Sequence, residues 1–180
     1  MMKRLRCLLA LALFTTGCAG AAASVRPIDG PSVRQDLSRY RALGLRVIKV
    51  DSAVASQQDL DRILARIVTV IQTKQPGRFS EVNGPTAGDA ASPVLDATVV
   101  MTRYDEGSAF ARAMLAGLGQ IQIDGKVSLR DRAQDALLGE YEVNKTFAWG
   151  GVYGASTTIR DVEEGFAQGV ATLILGEDPK

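Results

Sequence analysis

In the run Ile121-Gln122-Ile123-Asp124-Gly125-Lys126-Val127-Ser128-Leu129, every odd position is apolar or glycine and every even position is polar. A strand turns successive side chains to opposite faces, so this run settles only with one face buried and the other wet. Such alternation is the mark of an antiparallel sheet covered on one side. The rest of the chain has to supply the neighbouring strands and the cover.

Candidate strands lie on both sides of this run. Leu43 to Asp51 alternates, and Phe79–Val82 is a short candidate. Val94 to Tyr104 sets Leu95, Ala97, Val99 and Met101 against Asp96, Thr98 and Thr102. After a turn at Asp131–Asp135, Leu137 to Trp149 runs back with Tyr141, Val143, Phe147 and Trp149 inward and Glu140, Glu142, Asn144 and Thr146 outward.

Two helices are expected as cover. Ser56-Gln57-Gln58-Asp59 has the Ser-x-x-acid spacing of a helix start, and Leu60, Ile63, Leu64, Ile67, Val68 and Ile71 draw one apolar stripe. Pro76-Gly77 ends that helix. Ser156-Thr157-Thr158 offers caps for the second, whose stripe is Ile159, Val162, Phe166, Val170, Leu173 and Ile174. Gly165 and Gly169 weaken it by about 1 kcal/mol each, which suits a helix lying very close to another backbone. The pattern predicts an α+β, two-layer sandwich: an antiparallel sheet of four to five strands with two helices on one face.

The N-terminus reads as an address. Lys3, Arg4 and Arg6 precede an apolar core, Cys7 to Phe14, far shorter than the roughly 20 residues a permanent membrane helix needs. Thr16-Gly17-Cys18 follows, and it resembles the lipobox of bacterial lipoproteins, although Thr15 stands where a large aliphatic residue is commonest. The resemblance implies cleavage before Cys18 and acylation of its sulfur; an ordinary cleaved signal ending near Ala21–Ala23 is the alternative. Two or three acyl chains give permanent attachment where one gives only marginal binding. Ala19 in place of an Asp implies the outer membrane, with the domain on the periplasmic side. The expected organisation is a signal peptide over 1–17, a lipidated tether over 18–38 broken by Pro27, Gly30 and Pro31, and one domain over 39–176.

Composition narrows the chemistry. The cysteines are Cys7 and Cys18 alone and histidine is absent, so an acylated chain has no disulfide, no thiolate metal site and no imidazole base. No metal or cofactor is expected. Removing the leader lowers the formal net charge of +1 by three, to −2, which offers no field for nucleic acid. Gly117-Leu118-Gly119 lacks the third glycine of a dinucleotide fingerprint and precedes a strand. Asp96, Asp124, Glu140 and Glu142 sit at wet-face spacing, where a glycosidase needs two carboxyls facing across a cleft.

Two stretches stand out as contact candidates. In Ser108–Gly119, Phe110, Met114 and Leu118 recur every four residues. They suit either a crossing packed over the sheet edge or an exposed apolar element with Arg112 on its rim. Trp149 and Tyr153 flank Gly150-Gly151 and suit either edge packing or a recognition patch.

Val99–Tyr104, Gly107 to Gly119, Val127-Ser128-Leu129-Arg130-Asp131 and Gly150-Gly151 together resemble an uncharacterised family of bacterial lipoproteins, domain of unknown function 4410. The likeness covers residues 39–175 loosely and 94–151 best. The family pattern has Asp-x-x-Thr-Gly after the central strand; here Asp131 is followed by Arg132-Ala133-Gln134-Asp135. More distantly the chain resembles the periplasmic domains of the curli-secretion lipoprotein CsgG and of penicillin-binding-protein activators. The resemblance implies a fold and a location and no catalytic residues. The expected function is a non-enzymatic lipoprotein, held by lipid through Cys18, that binds another envelope component, with an envelope protein as the expected partner. A ring-forming homo-oligomer is the alternative. A hydrolase of envelope polymers using Asp124 and Asp131 is the remaining one.

Overall fold

The computed structural model describes residues 22–29, 36–83, 93–115, 118–148 and 156–178. In chain order the elements are β1 (Ser24–Asp29), β2 (Ala42–Lys49), α1 (Gln57–Lys74), β3 (Glu81–Val82), β4 (Val94–Asp105), α2 (Ala109–Met114), β5 (Ile121–Asp131), β6 (Ala136–Phe147) and α3 (Ile159–Ile174). They build one sheet in the order β1-β6-β5-β4-β2-β3, with α1 and α3 packed on it and on each other.

The α+β layering expected from the sequence is present, but the sheet is not. It has six strands, where four to five were expected, and it is mixed, where an antiparallel sheet was expected. β2 runs parallel to both β3 and β4, and the remaining pairs are antiparallel. The reason is connectivity. An 18-residue helix lies between β2 and β4, and a strand–helix–strand crossover returns the chain in the same direction. Alternating burial reveals which face is wet and says nothing about direction.

The sixth strand comes from the stretch expected to be tether. β1 pairs antiparallel with β6, with Ser24 opposite Asn144 and Pro27 opposite Tyr141. Proline cannot donate to a ladder, but β1 is an edge strand and needs only one row of bonds. The tether over 18–38 therefore contains part of the fold.

The covered face follows the predicted stripes. Leu43, Leu45, Val47, Leu95, Ala97, Val99, Met101, Ile121, Ile123, Val127, Leu129 and Val143 meet Leu60, Ile63, Ile67 and Ile71 of α1 and Phe166, Val170 and Ile174 of α3. Ser56 caps α1 as its spacing predicted: its Oγ accepts from the Asp59 N–H at 3.2 Å, and Asp59 Oδ2 accepts from the Ser56 N–H at 2.8 Å. The two glycines of α3 do mark a close approach, though to side chains rather than to backbone. A Cβ at Gly165 would stand 2.5 Å from Lys145 Cε, and one at Gly169 would stand 2.8 Å from Ala23 Cβ and 3.1 Å from Val143 Cγ1. Among the described residues no helix is long and apolar enough to cross a membrane.

Candidate contact surface

Between β4 and β5 the chain leaves the sheet as an arch, with α2 on it. The feet of the arch are locked. Gly107 and Gly119 sit at φ 60° and 72°, the left-handed region, and a Cβ on Gly107 would stand 2.1 Å from the Gln120 carbonyl oxygen. A Cβ on Gly119 would stand 2.3 Å from the Ser108 carbonyl oxygen. Only glycine lets the two limbs close on each other this tightly. Ser108 Oγ accepts from the Ala111 N–H at 3.2 Å and caps the single helical turn and a half.

The inside of the arch is held by a charge. Arg112 is 4% exposed, and its Nη1 donates to the carbonyls of Glu106 at 3.0 Å and Gly119 at 2.7 Å. Its Nη2 donates to the Thr157 carbonyl, just before α3, at 3.1 Å. One guanidinium thus ties both feet of the arch to the start of a core helix. Arg112 is the brace and not a rim residue, which corrects its expected place.

Two residues on a helix are about 200° apart, so with Arg112 turned in, Phe110 and Met114 turn out. They are 74% and 68% exposed, and Leu115 and Leu118 are 51% and 57% exposed. The expected alternative, a crossing packed down over the sheet edge, is not what these side chains do. Cys18, Trp149 and Tyr153, the other residues singled out in the sequence, lie outside the described residues.

A polar cluster that the sequence reading passed over lies beneath. Glu163 of α3 is fully buried, and Arg62 and Arg66 of α1 and Tyr104 of β4 converge on it. Arg62 Nε and Nη2 donate to its two oxygens at 2.9 and 2.7 Å, Arg66 Nε donates at 3.1 Å, and the Tyr104 hydroxyl donates at 2.8 Å. Burial first, and then that bond to Glu163, push the Tyr104 phenol well above its ordinary value. A bulge between Met101 and Arg103 turns Tyr104 inward. Burial raises the Asp59 carboxyl, but hydrogen bonds from Ser56 and Arg62 outweigh it and bring it down to about 2. The signal was in the sequence: Ile159, Glu163, Phe166 and Val170 follow helical spacing, which places a carboxylate on the apolar stripe.

Three of the strand carboxylates are engaged in side-chain bonds that build the fold. Asp96 is held by the Nε–Nη2 edge of the Arg132 guanidinium, and the pair lines an open cavity of about 390 Å³ with Gly44, Glu81 and Asn83. Asp124 accepts from Asn144 at 3.1 Å and Gln122 at 3.0 Å. Asp131 Oδ1 accepts from the Ala133 and Gln134 N–H groups, and its Oδ2 accepts from Tyr40 and Arg39, each at 2.8 Å. This arrangement builds the β5–β6 turn and pins the segment before β2. Among the described residues no group of His, Cys, Asp and Glu has the arrangement of a metal site.

The model of the family described as domain of unknown function (DUF4410) matches residues 21–151, well over half of the chain. The chain belongs to the DUF4410 family. The DUF4410 match begins ahead of β1, so it takes in residues expected to be tether, and it ends before α3. The turn after β5 is built on Asp131, with Asp135 at φ 50° in the left-handed region.

Two solved structures, both of one protein, share this DUF4410 chain's fold. The PelC dodecamer from Paraburkholderia phytofirmans is 13% identical, with 87% of this chain and 99% of that chain covered and a TM-score of 0.54. A variant of the same PelC in another crystal form gives the same identity and coverage with a TM-score of 0.52. A Xanthomonas campestris protein of the DUF330 family is 14% identical over 86% of this chain and 89% of that chain, with a TM-score of 0.45. No curated protein sequence matches the chain.

Proposed function

We propose that the chain is a non-catalytic accessory or assembly subunit of the cell envelope, held by acyl chains on Cys18 at the periplasmic face of the outer membrane. It acts by touching another envelope component through the arch. The observation that carries this reading is the arch itself, which buries its charge and displays four large apolar side chains on a braced frame. Single exposed apolar residues are ordinary on any surface. Three of the four, Phe110, Met114 and Leu115, stand on α2 and its cap, whose backbone Arg112 and the Ser108 cap already tie down, so little further freedom is lost on docking.

A photoreactive amino acid in place of Phe110, placed in the full chain in growing cells and recovered in detergent, tests the reading. An adduct with an envelope protein or lipid is expected, and a bare monomer under several growth conditions would overturn it.

A ring of identical copies is the second reading. Its support is the fold shared with PelC, a protein crystallised as a dodecamer. Light scattering on the detergent-solubilised full chain separates the two, because a strict monomer excludes the ring and leaves the first reading standing.

A further inference from the structure

Five of the seven large apolar side chains exposed on the described residues lie at one end of the molecule. Phe110, Met114, Leu115 and Leu118 are on the arch. Val54, 86% exposed, follows β2 and lines a cavity of about 560 Å³ with Arg103, Asp105 and Gly107 at the arch's foot.

The start of the fold shows what faces that end. Cys18 stands six residues before Ser24, a span of at most about 22 Å even when fully extended. Ser24 pairs with Asn144, and three residues further on β6 ends at Phe147, opposite Ile121 at the foot of the arch. That end of the sheet is therefore only about 10 Å from Ser24. The opposite end begins at Ala136, eight residues back along β6 and about 27 Å away, beyond the reach of Cys18. The lateral surfaces within reach are mixed and gather no cluster of large apolar side chains: the β1 edge carries the Arg26–Glu142 pair and a single exposed Ile28, and Lys74, Gln168 and Glu177 stand beside Ala22 and Ala23.

We infer that the arch is seated in the interfacial layer of the same bilayer that holds Cys18, with Phe110, Met114, Leu115 and Leu118 among the lipid headgroups and upper acyl chains. The lipid surface is the envelope component that the arch touches, so this inference rests on the anchored reading above. Two contacts, one covalent and one apolar, fix the sheet at a set angle to the membrane, whereas a lipid on a flexible leash would leave it free to tumble. The end carrying the Asp131–Asp135 turn then points away from the lipid.

The mature chain with an acylated Cys18 has no free thiol, so one introduced cysteine carries one label. Nitroxide labels at Met114→Cys and Leu118→Cys, with Ala133→Cys on the far turn as the aqueous reference, are read on the full lipidated chain. The vesicles are phosphatidylethanolamine and phosphatidylglycerol. The expected result is a ratio of oxygen to nickel-chelate collision several-fold higher at 114 and 118 than at 133. Equal, water-like ratios at all three on vesicle-bound protein overturn the inference and leave the anchor intact. Labels at 114 and 118 shielded from both reagents overturn it in favour of a protein occupant. A chain of unmodified mass at Cys18 that fails to float with vesicles removes the anchored reading, and the reach argument with it.

Discussion

The α1–α3 layer and the arch solve opposite problems with the same residue type. In the layer, apolar stripes face inward and the one carboxylate among them, Glu163, is met by Arg62, Arg66 and Tyr104. In the arch the arginine is inside, bonded to three backbone carbonyls, and the apolar side chains are outside. In both places the guanidinium serves stability by bonding several oxygens at once. The difference lies in where the apolar surface goes. In the layer it is consumed by folding, and in the arch folding leaves it unspent and available to a second surface.

Four experiments sharpen or break that contrast. The largest effect is expected at Glu163. Replacing it with Ala leaves two arginines and a phenol without their acceptor, and breaking a buried pair this way costs about 3–4 kcal/mol at the lower end because the arginines are partly solvated. Urea unfolding measures it, and a loss below about 1 kcal/mol would show the cluster to be incidental.

Arg112→Ala comes next, at about 2–3 kcal/mol, since three carbonyls lose a charged donor. Hydrogen exchange should quicken over residues 107–115 and 118–120 while α1 and the middle of α3 keep their protection. Uniform loosening of the whole chain would mean that the arch is no separate unit.

Acid tests the layer from its other side. Asp59 titrates near 2 in the fold against an ordinary 3.8, so its contribution is complete above about pH 4 and is lost as the pH falls towards 2. The loss is about 2 kcal/mol, and Asp59→Asn should flatten that part of the stability profile. An unchanged profile in the variant would assign the acid sensitivity elsewhere.

The smallest effect on stability is expected where the contact is made. Phe110→Ser with Met114→Ser should change the unfolding free energy by no more than about 0.5 kcal/mol, as exposed positions do, while abolishing the adduct formed when the photoreactive amino acid is placed at Leu118 instead of Phe110. A large loss of stability would mean that these side chains are part of the core after all.

Both long helices, the two central strands and the one-sided sheet were legible because each is a long, strongly periodic segment. The Ser56 cap followed from spacing alone. β1 was hidden because Pro27 and the surrounding small residues read as a break, and an edge strand needs so little of its sequence that the break is tolerated. Parallel pairing of β2 with β4 was hidden because side-chain alternation is blind to strand direction. Within the arch the apolar spacing of Phe110, Met114 and Leu118 was visible, but the same spacing describes a helix packed down and a helix facing out. Arg112 decides between them by turning inward to three carbonyls, and no pattern in the sequence shows where those carbonyls gather. Glu163 was legible in principle, as a carboxylate on an apolar stripe whose partners on α1 are Arg62 and Arg66, four residues apart.

The claim that the arch is a covered surface in the native envelope is tested most directly by thiol accessibility. Met114→Cys, treated with a membrane-impermeant maleimide admitted to the periplasm, should be protected in the intact envelope and become reactive once the protein is in detergent, while Ala133→Cys reacts under both conditions. Equal labelling at both positions in the intact envelope would leave the arch bare to water and contradict the account.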